Sequence, residues 1–401
     1  MTSDLLRKFK WLSLRSVATM VLVAASYTLL TATPATAAPA KGVIELGLVG
    51  TLSGSLAPDD GPIELGVEAG VAYINAHGGL AGRQVVLHTA DDTGSPVTFL
   101  LQTKNFVQSD HVVAFVGDAA PGTAQGGSSY LEQVKVPVIG GNNQNPLYET
   151  SSDFYNIETK LSAINPDSVA VAEKYSHAKK LGLVYCSEVA ACLAAKTGWQ
   201  QAASKTGAQF VYSAAVPLTQ VDLTPECLAA KAAGVQALGL LEVVQSQVAL
   251  EQDCATQGYH PTYVTATGNV GAPQLAIPAL NGLLAMSQSV PSFAKGHILD
   301  TLRKWYPHVT AAALTTESVN GWEAAMTLVY ASKYFPKSGS VTSADIVSAL
   351  HKINGSTLGG LVPPLVFGKP GKPNSGTSCY YPVEVANGQW ATLSGQKYVC
   401  P

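Results

Sequence analysis

The chain has 401 residues, 47% of them apolar and 13% charged, with 24 basic against 27 acidic side chains. That is enough apolar material for two domains of ordinary size or one large one, and it excludes a disordered or fibrous protein. The slightly acidic balance offers no basic surface of the kind that nucleic acid or an anionic membrane would need.

The first forty residues read as a secretion signal. A basic start (Arg7, Lys8, Lys10, Arg15) precedes an apolar run from Val17 to Leu30 and a small-residue end at Ala35-Thr36-Ala37. The competing reading is a retained membrane anchor, but the run contains Ser26, Tyr27 and Thr28 and falls short of the roughly 20 residues that a span needs. Residues 1–37 are therefore expected to be cleaved. Cleavage removes four basic residues and Asp4, which leaves 20 basic against 26 acidic, a net charge of −6. No cysteine lies near the cut to take a lipid, so the mature chain is expected as a soluble protein of the periplasm or another extracytoplasmic space.

All six cysteines fall after the cut. In an oxidising compartment they favour disulfides. Six cysteines allow 15 pairings, and proximity along the chain favours Cys186 with Cys192, Cys227 with Cys254 and Cys379 with Cys400. A metal cluster has no CxxC pair and no neighbouring histidines to support it.

From Val43 onward, short apolar runs alternate with longer amphipathic stretches, the pattern of βαβ units around a parallel sheet. Strands are predicted at 44–49, 84–89, 112–116, 136–139, 181–185, 210–213, 237–241, 263–266 and 282–285. Ile63, Val67, Val71 and Ile74 are spaced for a helix over 63–77, closed by His77-Gly78-Gly79. Further helices are predicted at 96–107, where Pro96 marks the entrance, and at 166–176, 190–205, 244–257, 292–306, 317–334 and 343–351. A turn-rich stretch at 367–374 precedes a final strand pair, 379–385 and 389–398.

Three segments carry a resemblance. They are Ile-Glu-Leu-Gly-Leu-Val-Gly-Thr-Leu-Ser-Gly at 44–54, Tyr73-Ile74-Asn75-Ala76-His77-Gly78-Gly79-Leu80-Ala81-Gly82-Arg83, and Asp91-Asp92-Thr93-Gly94-Ser95-Pro96. Together they resemble the opening of the leucine/isoleucine/valine-type periplasmic binding proteins of ABC importers. Weaker echoes run through 112–117, 136–146, 181–185, Gln257-Gly258-Tyr259 and Gly321-Trp322-Glu323-Ala324-Ala325. The resemblance implies an α/β fold of two Rossmann-like lobes with parallel-sheet cores. Three hinge crossings are then expected near 158, 287 and 363, with lobe 1 at 41–158 plus 288–362 and lobe 2 at 159–287 plus 363–401. It also implies a small-molecule solute bound between the lobes, closure about the hinge, recognition of the closed form by ABC permease membrane subunits, and a monomer without cofactor.

Open α/β sheets place ligands in the crevice outside the strand carboxyl ends, where free backbone N–H groups and helix amino ends suit a carboxylate or other polar group. The corresponding loops are 51–60, 118–123, 140–145, 187–191, 242–245 and 267–271. The resemblance implies that hydroxyls and amides of the second and third loops hold an amino acid's carboxylate, and that a second-lobe acid holds its ammonium. Residue by residue the chain departs from this. Pro121, which has no N–H, stands where a serine is usual. Asn142, Asn143 and Gln144 replace small residues and a hydroxyl, Thr267 replaces the ammonium-pairing acid with Glu242 as a possible substitute, and Asp59 replaces an aromatic. Trp322 is expected to keep an aromatic wall, and Ala120, Ala190 and Val243 complete the candidate lining. Amide side chains offer donors and acceptors without charge, so the solute is expected to be polar rather than leucine or valine. Bland alternatives stand beside these readings. The 140–145 run could be only a turn, Trp322 core packing, and Asp91-Asp92 a structural turn before the helix at Pro96.

Enzymatic motifs are missing. The sequence has no GxSxG, no HExxH and no Walker A, and the glycines at 47–54 have the wrong spacing for a dinucleotide loop. A transport receptor is therefore expected, with a sensory module of the same fold as the alternative and no catalysis in either.

Overall fold

The computed structural model describes residues 42–265, 277–306, 314–374 and 376–401. The predicted alternation produces two open sheets. The first has strand order β2-β1-β3-β4-β5, formed by β1 (Ile44–Gly50), β2 (Val85–Asp91), β3 (Ala114–Asp118), β4 (Val138–Gly141) and the short β5 (Phe154–Tyr155), all parallel. Every residue of β3 and β4 is buried, as central strands covered by helices on both faces require.

The second sheet has seven strands in the order β14-β13-β10-β9-β8-β6-β7. Its parallel part comprises β6 (Lys180–Cys186), β7 (Gln209–Val216), β8 (Ala237–Leu241), β9 (Thr262–Thr265) and β10 (Leu284–Ser287). The antiparallel pair β13 (Tyr381–Ala386) and β14 (Gln389–Thr392) extends one edge. A two-stranded ribbon, β11 (Asn354–Ser356) with β12 (Leu365–Val366), stands apart. The sequence pattern is thus realised as an α/β fold of two lobes.

The helices are α1 (Ala57–Ala76), α2 (Pro96–Gln108), α3 (Gln125–Val134), the single turn α4 (Leu147–Thr150), α5 (Leu161–Ser176), α6 (Ala190–Thr206), α7 (Thr224–Ala233), α8 (Val244–Thr256), α9 (His297–Trp305), α10 (Thr316–Ser332) and α11 (Ser343–Leu350). Their ends follow local chemistry. Ser95 caps α2 by accepting from the Thr98 N–H at 3.3 Å, and Thr315 and Thr342 form capping boxes at α10 and α11. Left-handed Gly207 and Gly234 close α6 and α7.

Two differences from the sequence reading matter for the site. α1 begins at Ala57, six residues before the periodic stripe, with Pro58 in its first turn and Asp59 and Asp60 beside it. Proline without an N–H and acids facing the positive helix end are both favoured there, so the end of the expected 51–60 loop is helical. Helices α3 and α7 are additions. Gly126 and Gly127 conceal α3 in the sequence, yet they let it lie against α2: a Cβ on Gly126 would meet the Pro96 carbonyl oxygen at 2.2 Å.

The chain passes between the sheets three times, and the crossings are stitched together. The Asn156 N–H donates to the Asn374 carbonyl (3.1 Å), the Lys160 N–H to Thr377 (2.7 Å) and the Thr377 N–H to Glu158 (3.0 Å). All three disulfides join the cysteines that chain proximity favours, with Cα–Cα distances of 5.4 Å for Cys186–Cys192, 5.1 Å for Cys227–Cys254 and 4.1 Å for Cys379–Cys400. Cys227 and Cys254 tie α7 to α8 across 27 residues and are both fully buried. Closing a loop of that length in the unfolded chain is worth roughly 3 to 4 kcal/mol. The double substitution Cys227→Ala/Cys254→Ala is expected to lower stability by about that much in urea denaturation; an unchanged midpoint would show that the bond contributes nothing.

Candidate functional site

The carboxyl ends of the two sheets face each other across a partly open cleft of about 390 Å³, counting the space open to solvent. The first lobe contributes Leu56, Asp59 and Asp60 from the head of α1, Pro121 from the loop after β3, and Asn142 and Gln144 from the loop after β4. The second contributes Cys186, Val189 and Cys192 around the β6–α6 loop, Leu218 after β7, and Leu241, Glu242 and Val243 after β8. A larger groove of about 1450 Å³ runs between β5 and α11, but none of the strand-end loop residues lines it.

Carboxyl groups are the ionisable part of the cavity lining. Asp59, Asp60 and Glu242 are 8%, 1% and 4% exposed. Asp60 accepts from Asn142 Nδ2 at 2.8 Å through Oδ1, while its Oδ2 has no partner. Neither oxygen of Glu242 has a partner. Asp59 accepts a backbone hydrogen bond from Val244, the first residue of α8, and so links the two lobes.

Burial penalises the ionised form of each. The Asp59 carboxyl is pushed up to about 7, against the stabilising Val244 bond. Burial holds Asp60 well above the usual carboxylate range, opposed by Asn142 and reinforced by Asp59, Asp118 and Asp92. Burial, then the nearby Glu188, raises Glu242 to about 9. Behind Asp60, Asp118 is raised by burial and by Asp92, and one of its oxygens is unpartnered.

Asp91 and Asp92 are occupied by their own turn and by the loops after β1 and β3. Asp92 accepts from Thr51 Oγ1 (2.9 Å), the Gly94 N–H (2.8 Å) and the Thr123 hydroxyl; Asp91 accepts from the Leu52 and Thr93 N–H groups (3.0 and 2.8 Å). They brace the rim against which Pro121 and α1 sit.

Of the residues singled out in the sequence, the structure brings Asp59, Pro121, Asn142, Gln144, Glu242 and Val243 together in the lining. Four others lie elsewhere. Ala120 is buried in the cluster beneath its loop. Ala190 is exposed at the start of α6. Asn143 is 1% exposed and pins the hinge: its Nδ2 donates to the Thr159 carbonyl (2.6 Å) and to Asn156 (3.2 Å), and its Oδ1 accepts from Gln288 Nε2 (2.7 Å). Trp322 is 1% exposed and packs in the core of the first lobe, its ring centroid 5.4 Å from that of Tyr73. Thr267 lies outside the described residues.

Sequence reasoning passed over Asp60, Leu56, Val189, Leu218, Leu241 and the Cys186–Cys192 disulfide as a cavity wall. The signal for Asp60 was its place beside Asp59; the start of α1, six residues early, is what turns it inward. Among the described residues, no group of three or more His, Cys, Asp or Glu is arranged to hold a metal ion, and no helix is long and apolar enough to cross a membrane.

Two lobes of parallel sheet meeting around a cavity at their strand ends, its apolar walls set with a few polar groups, define a two-lobed solute-binding fold. The chain belongs to the periplasmic binding protein family, whose model matches residues 43–389. Solved structures of the same fold include the leucine binding protein LivK of Thermotoga maritima MSB8, at 13% identity and TM-score 0.75 over 90% of this chain and 99% of that one. The branched-chain amino acid transporter substrate binding protein LivJ of Streptococcus pneumoniae, in complex with isoleucine, matches at 17% and 0.72, over 90% and 100%. An ABC transporter solute binding protein of R. palustris, in complex with benzoate, matches at 16% and 0.74, over 90% and 98%. At these identities the likeness is one of fold. No curated protein matches by sequence. The resemblance read from residues 44–96 therefore holds at the level of the family, whose solved relatives bind unlike solutes.

Proposed function

We propose that the protein is an exported receptor that closes on one small polar solute and delivers it to the permease subunits of an ABC importer, acting as a monomer without catalysis. The observation that carries this reading is the cavity itself: both lobes line it, it lies at the strand carboxyl ends, and its polar groups are buried yet incompletely partnered. In this reading residues 1–37 are removed on export. The lobes, taken as 41–158 with 288–362 and 159–287 with 363–401, rotate about the crossings pinned by Asn143, and Asp59, Asn142, Gln144, Glu242 and Val243 touch the solute.

The test is a thermal-shift screen of the mature chain against amines, amides, ureas, amino acids and carboxylic acids, with the mass of each hit checked after incubation. A ligand at 100 times its Kd adds about 2.7 kcal/mol of stability, and recovery of the compound unchanged is expected. Chemical conversion of a hit would replace the receptor reading with an enzymatic one. Loss of uptake of that compound on deletion of the gene is the matching result in cells; uptake that continues undiminished would remove the transport role.

A further inference from the structure

The charge pattern of the cavity narrows the solute, given the receptor reading above. Three carboxyl-bearing residues line it, and no Lys, Arg or His is among the described lining residues. The ion pairs of the described residues, His88–Glu45, Lys135–Asp153 and Arg303–Asp300, involve none of the lining. Buried Arg83 is spent on the carbonyl oxygens of Pro336 and Gly339, both at 2.8 Å. Three carboxyl oxygens of these lining residues, both of Glu242 and Oδ2 of Asp60, are buried and have no partner. A buried acceptor left unsatisfied is costly, so a ligand that donates to these oxygens gains most.

The first-lobe loops have little to offer an anion. Asn142 N–H donates to the Asp118 carbonyl (2.8 Å) and Gln144 N–H to Asn142 Oδ1 (3.1 Å), and on the facing lobe Val244 N–H is taken by Asp59. Pro121 has none to give. Asp118 and Asp92, behind Asp60, add negative potential of the same sign. A ligand carboxylate would find no basic side chain among the described lining residues, whereas a positive group would draw the carboxyls into their ionised form and pair with them. The remaining walls, Leu218, Leu241, Val189 and the Cys186–Cys192 disulfide, are apolar.

We propose that the cleft takes a small organic cation without a carboxylate, an alkylammonium or alkylguanidinium ion whose positive end lies among Asp59, Asp60 and Glu242 and whose hydrocarbon lies against the second lobe. On this arrangement the carboxyls hold protons while the cavity is empty and release them when the cation enters, so binding liberates protons to the buffer.

The test is titration calorimetry of the mature protein with putrescine, agmatine and choline, set against L-leucine, benzoate and octanoate, in buffers of different ionisation enthalpy. Saturable binding is expected from the cation set alone, with proton release. Glu242→Gln and Asp60→Asn are each expected to raise the Kd about ten-fold or more, the loss of one charge-assisted hydrogen bond. Two carboxyls are tested separately so that a variant that fails to fold leaves the other to decide. Saturable binding of a carboxylate, or cation binding that both variants leave unchanged, would overturn the cation assignment and leave the receptor reading standing. No saturable complex with either set would overturn both.

Discussion

Gly321→Val is expected to be severely damaging, lowering stability by more than about 4 kcal/mol and the melting temperature by roughly 10 °C or more. The cause is backbone against backbone. Helices α1 and α10 cross so closely that a Cβ on Gly321 would stand 2.0 Å from the Ile63 carbonyl oxygen and 2.9 Å from the Val67 nitrogen. The approach is mutual, since a Cβ on Gly66 would meet the Ser318 carbonyl oxygen at 2.0 Å and one on Gly70 the Ala325 Cβ at 2.4 Å. No rotamer change relieves an overlap with main chain, so the helices must separate. Separation exposes Ile63, Val67 and Trp322, which are 0%, 0% and 1% exposed, and moves Asp59 and Asp60 away from the cleft. Gly61 in the same helix is the control. A Cβ there would meet nothing within 4 Å, so Gly61→Ala should be neutral or stabilising by about 0.5–1 kcal/mol. Thermal denaturation of the two variants checks both; a Gly321→Val protein melting within two or three degrees of the parent would show that the helices do not pack this tightly.

That crossing also explains what was legible in the sequence. The period-two and period-3.6 patterns specify each lobe's strands and its long helices, because parallel strands buried on both faces leave continuous apolar runs such as Ala-Phe-Val-Gly at 114–117. Glycines hide the rest. Gly126 and Gly127 make α3 read as a loop, yet serve its contact with α2. Gly321 and Trp322 signalled the family, but Trp322 fills the α1–α10 seam beside Gly70 rather than the cleft. The strand-end loops could be located from the order of elements alone, and six of the eleven candidate residues do meet in one cavity. Which side chain of a loop turns inward depends on a single residue of register. Asn142 and Gln144 face the cavity while Asn143 between them turns into the hinge, a distinction that composition cannot make.

The empty protein is expected to lose stability as pH rises from about 5 to 9, opposite to proteins whose carboxylates are paired with bases. The acids that matter, Asp167 with its nearby Lys160 aside, are buried and belong to no ion pair among the described residues. The hinge shows this in its geometry: Ser289 Oγ lies 2.6 Å from Glu158 and 2.7 Å from Glu323, both buried. A hydroxyl donates one hydrogen, so one of the two carboxyls must be protonated to supply the other bond. Burial pushes Glu158 up to about 7 and Glu323 well above the carboxylate range, each opposed by the Ser289 bond. Burial likewise raises Asp59 and Asp167 to about 7, and Glu242 and Glu251 to about 9. The unfolded chain releases these protons near pH 4 to 4.5, so between there and the folded value the native state binds more protons than the unfolded one. Each such group then lowers stability as the pH rises. All of the stability they lend is present below pH 4, and it is lost as pH climbs through 7 for the first set and toward 9 for Glu242 and Glu251. Opening the cleft rehydrates Asp59 and Glu242 but leaves Glu251, which is 0% exposed with both oxygens unpartnered, in the core of the second lobe. Melting curves from pH 5 to 9 should therefore show a steady fall for the parent and a shallower one for Glu251→Gln. Small-angle scattering should show the empty protein more open at pH 9 than at pH 5, an expansion that Glu242→Gln reduces and Glu251→Gln does not. A melting temperature that climbs between pH 5 and 8 would mean that these carboxyls find compensation, and the cleft would then hold its charges without help from a ligand.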